Sequence, residues 1–156
     1  EYDSCGAIAA SGSIDFLLLD ALQDLPYYRQ SVPKSLGYEF VETEILPLID
    51  GFNLPVQDVL RTYSEHIVLQ IAACFDAVND KNVLITGGGA LNTFLINELS
   101  SKSSVEIVVP DVDLVNFKEA LIFALLAVLR VENKVNCLQS VTGAKCDHSS
   151  GRIIVI

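Results

Sequence analysis

The chain has 156 residues, 51% of them hydrophobic, which is enough apolar material for one buried core, so we expect a single globular unit. Its 20 acidic and 10 basic residues give a formal net charge of -10. Because this charge repels phosphate backbones and anionic lipid surfaces, and the basic residues are scattered singly, the composition argues against nucleic acid and membrane as partners. The four cysteines lack zinc-site spacing and indicate a reducing cytoplasm.

The first half of the chain is predicted to be helical, with irregular connections, because apolar residues recur there at three- and four-residue intervals. In chain order we predict a loop or helix lead-in over residues 1–12, a helix over 14–22, an irregular segment over 27–37, a short helix over 38–46 that ends before Pro47, and a long helix from 53–55 to 78. His66 is expected at the solvent-facing edge of the long helix.

The second half changes period, since short continuous apolar runs indicate strands that are covered on both faces. We predict strands over 83–85, 105–109 and 153–156, helices over 91–99 and 115–132, and a turn-rich tail over 139–150. The apolar run from Ala120 to Leu129 is shorter than the roughly 20 residues that a membrane crossing needs, so it is interpreted as part of a core helix.

About five helices stand against two well-defined strands, and those two strands have the apolar pattern of interior members of a parallel sheet. A sheet of this kind is expected to have further strands. The sequence also contains no methionine. Together these features predict that the chain is one half of a larger α/β protein.

A glycine loop, Thr86-Gly87-Gly88-Gly89-Ala90-Leu91-Asn92, lies between a predicted strand and a predicted helix. Backbone amides at the carboxyl end of a parallel strand and the start of a helix are where ligands bind in open α/β sheets. Three successive glycines lack every Cβ, so a flat base, ribose or phosphate could lie against the chain. The loop is neither a P-loop nor a G-x-G-x-x-G motif. On these residues alone, a tight turn without a ligand is an equal alternative.

The run Val83–Asn92 is similar to the adenosine-side motif of sugar kinases with the actin-like ATPase fold, and specifically resembles that of the anhydro-N-acetylmuramic acid kinases. Three further segments agree with this family in order and spacing, and Tyr2-Asp3 with Gly6 fits its lead-in. Pro33–Glu39 resembles P-K-S-x-G-R-E, Lys118–Ala127 resembles E-A-x-x-F-A-x-L-A, and Ser140–Ala144 matches S-V-T-G-A. The resemblance therefore extends over essentially the whole chain.

The resemblance implies a helix-rich carboxy-terminal lobe of an actin-like ATPase (ribonuclease H-like) fold, with few strands of a partly missing sheet. Residues 1–156 would form the single carboxy-terminal nucleotide-binding domain of a two-domain sugar kinase. The implied reaction is the ATP-dependent conversion of 1,6-anhydro-N-acetylmuramic acid to N-acetylmuramic acid 6-phosphate in peptidoglycan recycling, with Mg²⁺ gathering phosphate charge. The implied partners are the anhydro-sugar and the amino-terminal half of the same enzyme, and a homodimer is left open.

For the site, the resemblance puts Gly87, Gly88, Gly89 and Asn92 on the nucleotide and Glu119 on the sugar. A carboxylate in an apolar helix is costly unless it is paired or used, which favours a role for Glu119 over its alternative, a salt bridge or a solvated helix start. The family's catalytic aspartate precedes a G-P-G-N-like stretch and its phosphate loop resembles G-T-S-x-D-G. Neither motif occurs in this sequence. We therefore expect no catalytic residue in this chain, do not assign Asp3 as the base, and expect the chain alone to be inactive.

Other polar groups are weaker candidates. No metal site is predicted: Asp111 and Asp113 are interpreted as a solvated turn or a helix lead-in, and Cys146 with His148 lacks a third ligand. Glu39, Glu42 and Glu44 are interpreted as a solvated face, and Tyr38 replaces the arginine of P-K-S-x-G-R-E, which we expect to be a structural change. Two other functions are considered: a non-catalytic nucleotide- or sugar-binding module of the same fold, and a helical interaction domain with an incidental glycine turn.

Overall fold

The computed structural model describes residues 2–31, 34–76 and 81–154. It contains two compact units, Glu1–Val109 and Pro110–Ile156. Helices predominate, and the strands of the amino-terminal unit pair in parallel, so the predicted helix-rich α/β class is confirmed. The assignment of residues 1–156 to one domain stays a prediction.

The amino-terminal unit contains six α-helices and two strands within its described residues. Short 3-10 turns precede α1 at Ser4–Gly6, follow α2 at Pro26–Arg29 and precede α6 at Gly88–Leu91. The regular elements are α1 (Ala7–Ser11), α2 (Phe16–Gln23), α3 (Tyr38–Phe40), α4 (Leu46–Asp50), α5 (Val56–Asp76), β1 (Asn82–Leu84), α6 (Thr93–Lys102) and β2 (Glu106–Val108).

Side-chain capping explains where two predicted helices begin. Asp15 accepts a hydrogen bond from the backbone N–H of Leu18 at 2.8 Å, so α2 begins at Phe16, two residues later than its apolar pattern suggested. Asn92 accepts one from Leu95 N–H at 3.1 Å and begins α6 in the same way. The long helix α5 follows Pro55 as predicted, and its predicted end at Val78 lies outside the described residues.

The prediction that a helix ends before Pro47 is wrong. The helix that begins at Tyr38 widens into a π-helical segment, Val41–Ile45, and continues as α4 through the proline. In this segment the backbone N–H of Leu46 donates to the carbonyl of Val41, five residues back. Proline lacks an N–H and its ring collides with the carbonyl four residues earlier in a regular α-helix. A π turn changes this spacing and lets the helix continue.

Two apolar clusters hold the amino-terminal unit together. The first combines the buried residues Leu18, Leu22 and Ile45 and so joins α2 to the π-helical segment. The second combines Val68, Ala72 and Leu99, against which Ile85 and Ile107 pack, so α5, α6 and the two strands share it. The glycine loop between β1 and α6 is therefore attached at both ends to one core.

Charged groups also join α5 to α6. The carboxylate of Glu65, whose side chain is 8% exposed, pairs with Lys102 and with Arg61, the latter at 3.2 Å. Arg61 also pairs with Glu98 on α6 at 3.0 Å, and its guanidinium lies 5.1 Å from the ring centroid of Phe94. These contacts hold α6 against α5 along its length, from Phe94 in its first turn to Lys102 at its end.

The strands β1 and β2 pair in parallel, with Asn82 opposite Glu106 and Leu84 opposite Val108. Both predicted strands are confirmed, but the prediction that they are covered on both faces is wrong for this chain. Leu84 and Val108 are exposed, while Val83 and Ile107 between the strand ends are half-buried. The described residues cover one face of this two-stranded sheet and leave Leu84 and Val108 in solvent.

After β1 the backbone turns at Gly87, which has φ 87° and ψ 175°. Only glycine adopts this region of backbone conformation readily, because any Cβ would be strained. Gly88 and Gly89 do not have positive φ angles, and a Cβ built on either would meet no atom within 4 Å. Conformation therefore requires glycine at Gly87, the first position of the triplet, whereas packing against the described residues requires glycine at none of the three positions.

The carboxy-terminal unit consists of α7 (Val112–Val131), the short helix α8 (Gln139–Thr142) and irregular segments. The side-chain amide of Asn136 donates to the carbonyls of Leu126 and Ser150, and Arg130 donates to the carbonyl of Gly151, so the tail is tied to the carboxyl half of α7. Residues 153–154 form no strand, contrary to prediction, and residues 155–156 lie outside the described residues.

The prediction of a core helix at 120–129 is wrong for this chain. The helix α7 exists and begins three residues earlier than predicted, because Asp111 caps it by accepting from Leu114 N–H at 2.8 Å. Periodicity identified its apolar residues correctly, but the short elements of this unit cover few of them. Exposed large apolar side chains on α7 include Phe117, Leu121, Phe123, Leu125, Val128 and Val131.

Among the described residues, no individual helix combines the length and the apolar content of a transmembrane segment. The segments Ser4–Ser11 and Phe16–Gln23 meet the criterion only when taken together, on length and composition alone, and they are bent by 120°.

His66 is buried, which contradicts the prediction of a solvent-facing position. Its side chain is 1% exposed and lies against the rings of Tyr28 and Tyr63, with centroid distances of 4.8 and 6.1 Å. Neither ring nitrogen has a hydrogen-bond partner among the described residues. Burial lowers the pKa of His66 from 6.5 to about 4, so the imidazole is neutral in the folded chain near neutral pH.

This burial predicts a pH-dependent stability. In the unfolded chain the pKa of His66 returns to 6.5, so between pH 6.5 and pH 4 the unfolded state binds a proton that the folded state does not. The free energy of unfolding should fall as the pH is lowered through this window, by about 3 kcal/mol at its full extent. Denaturant unfolding at several pH values measures the slope. His66→Phe should flatten it, whereas His148→Gln, at the exposed histidine, should not, and an unchanged slope in His66→Phe would contradict the assignment.

The glycine triplet gives a second prediction. Gly87→Ala should lower the free energy of unfolding by about 1–3 kcal/mol, because alanine is strained at this φ and ψ. Gly88→Ala is the matched control and should leave stability unchanged or raise it by up to about 1 kcal/mol, since it meets no atom and restricts the unfolded chain. Denaturant titration of both variants provides the comparison. Equal destabilisation by the two substitutions would show that the turn does not depend on the conformation of Gly87.

Candidate functional site

A cavity of about 570 Å³ lies over the glycine loop in the amino-terminal unit. One wall is formed by Gly88, Gly89, Leu91 and Asn92, and the other by the segment Tyr2–Cys5. This volume is within the range of pockets that hold small molecules and cofactors. Three of the four residues predicted to bind a nucleotide, Gly88, Gly89 and Asn92, therefore line one cavity, and Gly87 provides the turn that leads into it.

At Gly88 and Gly89 the loop wall presents backbone rather than side chains. Gly88 and Gly89 are exposed and open the 3-10 turn, where N–H groups have no acceptor within the turn itself. The next residue, Ala90, is buried, and its N–H donates to the carbonyl of Gly87 at 3.0 Å. The buried Ala90 thus anchors the loop, while the backbone of Gly88 and Gly89 is accessible from the cavity.

The opposite wall is held in place by Asp3. Its two carboxylate oxygens accept hydrogen bonds from the backbone N–H groups of Ile8 and Ala9, at 2.8 and 3.0 Å, at the start of α1. This carboxylate therefore caps a helix. The cap orders the residues that precede α1 and so shapes the second wall.

The two walls touch where the cavity closes. Gly6 is buried, and a Cβ on it would lie 2.4 Å from Oδ1 of Asn92 and 2.5 Å from Cβ of Phe94. The hydroxyl of Thr93 donates to the carbonyl of Cys5 at 3.3 Å. Only glycine permits this close approach, so Gly6 brings the start of the chain to the start of α6.

Asn92 has a structural role in addition to its predicted one. Its Oδ1 accepts from Leu95 N–H at 3.1 Å and caps α6. The same side chain lines the cavity, where its NH₂ group is the donor available for ligand recognition. The cap fixes the orientation of this amide relative to the glycine wall.

The cavity lining carries no basic side chain, and its one ionisable carboxylate is that of Asp3. Neutral donors and acceptors predominate: backbone amides, the hydroxyls of Tyr2 and Ser4, and the amide of Asn92. A lining of this kind suits an uncharged planar or sugar-like group better than a phosphate, which the carboxylate of Asp3 would repel.

The substrate residue predicted from the resemblance, Glu119, lies on α7 in the carboxy-terminal unit and is exposed. The helix begins at Val112, so Glu119 lies beyond its first turn rather than at the helix start, where the alternative interpretation had put it. Because the side chain is in solvent in this chain, the argument that an apolar environment makes its charge costly does not hold. Its contact with a sugar stays a prediction from the resemblance.

The remaining candidates have ordinary structural positions. Asp111 is the cap of α7, which confirms its interpretation as a helix lead-in. The Ser140–Ala144 turn consists of α8 ended by Gly143 at φ 70°, and Tyr38 is exposed at the start of α3. In the part of the chain that the structure describes, no three His, Cys, Asp or Glu side chains come together as a metal site would require.

The second wall was not predicted from the sequence. Tyr2 and Asp3 were noted as part of the family lead-in, Asp3 was not assigned a catalytic role, and Ser4 and Cys5 were not predicted to belong to a site. These residues are 82 or more positions from the glycine triplet along the chain, and no local pattern relates them. The requirement for glycine at position 6 is the one signal that could have pointed to a close contact.

Comparison with known proteins shows the family to which the chain belongs. A family model described as anhydro-N-acetylmuramic acid kinase matches residues 1–155. Three curated relatives with that name come from Sulfurovum sp. (strain NBC37-1), Francisella tularensis subsp. novicida (strain U112) and Actinobacillus pleuropneumoniae serotype 3 (strain JL03). They are 34%, 33% and 35% identical to this chain over 99%, 98% and 97% of its length.

The chain spans less than half the length of these relatives, namely 44%, 42% and 43% of each. The match nevertheless includes almost every residue of this chain, and the four motifs that carry the resemblance fall inside it. The chain belongs to the anhydro-N-acetylmuramic acid kinase family.

Proposed function

We propose that this chain is the ATP-binding part of an anhydro-N-acetylmuramic acid kinase and that the glycine-loop cavity holds the nucleotide. One observation carries the proposal: Gly88 and Gly89 have neither a conformational nor a packing reason to be glycine, yet they form the bare wall of a cavity of about 570 Å³. A ligand that lies directly against the backbone supplies the missing reason.

In this proposal the backbone of Gly88 and Gly89 lies against the nucleotide, Gly87 directs the chain into the cavity, and Asn92 donates a hydrogen bond from its side-chain amide. The nucleoside end of ATP is proposed to lie here, which the neutral lining supports. The phosphates then extend out of the cavity, toward groups that can balance their charge. This arrangement explains why a nucleotide-binding loop carries no lysine or arginine.

The activity proposed for the whole protein is the ATP-dependent conversion of 1,6-anhydro-N-acetylmuramic acid to N-acetylmuramic acid 6-phosphate, in the cytoplasm. The relatives named for this kinase are more than twice as long as the chain. We assign the catalytic base and the phosphate loop to the remaining length of such a protein, and contact with the sugar to Glu119. ATP with Mg²⁺ supplies the phosphoryl group, and the described residues of this chain provide the nucleoside site rather than the metal site.

We also propose that the chain is a lobe of an actin-like ATPase fold. The exposed apolar residues of β1, β2 and α7 support this proposal, because isolated domains rarely leave so many large apolar side chains in solvent. Further strands and helices of a complete fold would cover them. A non-catalytic binding module of the same fold would show the same nucleotide site without turnover, so activity measurements separate the two.

The nucleotide site is tested by Gly88→Val. A Cβ at position 88 meets no atom of the chain within 4 Å and φ is not positive there, so we expect the variant to fold normally while its side chain fills the space above the loop. We expect ATP affinity to fall at least about tenfold, or about 1.4 kcal/mol, in calorimetric titration of the intact native protein. Lys81→Ala, an exposed change at the other end of β1, is the control. Unchanged ATP affinity in Gly88→Val would remove the glycine loop from the site.

The proposed role of Glu119 is tested separately. Because the side chain is exposed, Glu119→Ala should leave the free energy of unfolding nearly unchanged. In the intact native protein it should lower kcat/KM for the anhydro-sugar about a hundredfold, with little change in ATP affinity. Glu132→Ala, at the exposed end of the same helix, is the matched control and should retain activity. Full activity in Glu119→Ala would exclude this residue from the sugar site.

A further inference from the structure

The wall opposite the glycine loop suggests a role for residues that neither the family motifs nor the fold assigns. The segment Tyr2–Cys5 lines the same cavity as Gly88 and Gly89. We propose that this segment is the second wall of the nucleoside site and that the Tyr2 ring covers the adenine base. The inference rests on the proposed nucleotide function and specifies which side chain completes its site.

The fold holds the segment Tyr2–Cys5 in a fixed position. The segment precedes a helix that Asp3 caps through two hydrogen bonds, and the carbonyl of Cys5 accepts from the Thr93 hydroxyl at 3.3 Å. The buried Gly6 packs against Asn92 and Phe94. The segment is therefore held against the start of α6 by the contacts of Cys5 and Gly6, and the Asp3 cap orders the residues that precede α1.

Tyr2 is 86% exposed although it lines a cavity, so its ring has a large free apolar surface. Aromatic rings with a free face stack on nucleic-acid bases, and every base offers a flat surface for that contact. On the loop side, Gly88 and Gly89 carry no side chains, so a planar group can lie directly against their backbone. In the proposal the adenine base lies between this backbone and the Tyr2 ring.

The charge of the cavity lining indicates which part of the nucleotide it can hold. The carboxylate of Asp3 belongs to the same wall, and the cavity lining contains no Lys or Arg to offset it. A triphosphate next to Asp3 would be repelled, whereas adenine and ribose are uncharged and can use the hydroxyl of Ser4 and the amide of Asn92. The assignment is therefore to the nucleoside, not to the phosphates.

Cys5 provides a direct probe of this wall. It is an exposed free cysteine on the cavity, while Cys74 is an exposed free cysteine on α5 outside the cavity lining. In the intact native protein, iodoacetamide labelling of each thiol can be followed by peptide mass spectrometry. ATP and adenosine at ten times their Kd should each slow alkylation of Cys5 about tenfold, because about nine-tenths of the sites are then occupied. Labelling of Cys74 should not change, and tripolyphosphate should protect neither thiol.

Substitutions test the ring itself. Tyr2→Ala should weaken binding of both ATP and adenosine about fivefold or more, and Tyr2→Phe should retain the affinity of the natural protein, since the stacking surface is kept. Phe16→Ala is the matched control: this ring is also largely exposed, at 69%, and lies in the same unit but not on the cavity. It should bind both ligands normally. Because Tyr2 and Phe16 are exposed, both variants should unfold at the same denaturant concentration as the natural protein.

The outcomes separate this inference from the function on which it rests. If the natural protein binds ATP and Gly88→Val does not, but Tyr2→Ala binds normally and ATP leaves Cys5 labelling unchanged, the nucleotide function stands and the second wall is wrong. Protection of Cys5 by tripolyphosphate would overturn the assignment to the nucleoside. If the natural protein binds no ATP, the proposed function fails and the inference fails with it.

Discussion

The buried carboxylate of Glu65 is the constraint on which the amino-terminal unit depends. A carboxylate taken out of water is costly unless it is paired, and Glu65 is paired with Lys102 and Arg61. Lys102 ends α6, so satisfying this charge fixes the helix against α5. The start of α6 carries Asn92 and follows the glycine loop directly. The position of one wall of the cavity is therefore determined by an ion cluster at the opposite end of a ten-residue helix.

Local sequence patterns predicted most of the elements because those patterns act over few residues. Apolar spacing indicated α5, and short apolar runs indicated β1 and β2. The errors have specific physical causes. Pro47 does not end its helix, because a π turn accommodates it, and no sequence rule that treats proline as a helix end can anticipate this. His66 was predicted to face solvent, whereas Tyr28 and Tyr63 bury it through contacts that only the fold creates.

The candidate site divides in the same way. The glycine loop and Asn92 are contiguous and were found from sequence, while the wall that faces them comes from the first residues of the chain. The hydrogen bond between Cys5 and Thr93 joins positions 88 apart. Periodicity likewise identifies which side chains of α7 and of the strands are apolar, but not whether this chain contains what covers them. That is why Leu84, Val108 and Phe117 are exposed where burial was predicted.

Gly88 and Gly89 show how selection for folding and selection for binding can diverge within three residues. Folding requires glycine at position 87 whether or not a ligand binds, because the backbone conformation there excludes other residues. The two that follow are different, because folding alone would allow or favour alanine there. A lineage that kept the fold but no longer used the ligand would be free to lose glycine at 88 and 89 while keeping it at 87. Under the proposed function, their joint presence reflects use of the ligand, whereas Gly87 reflects the needs of folding.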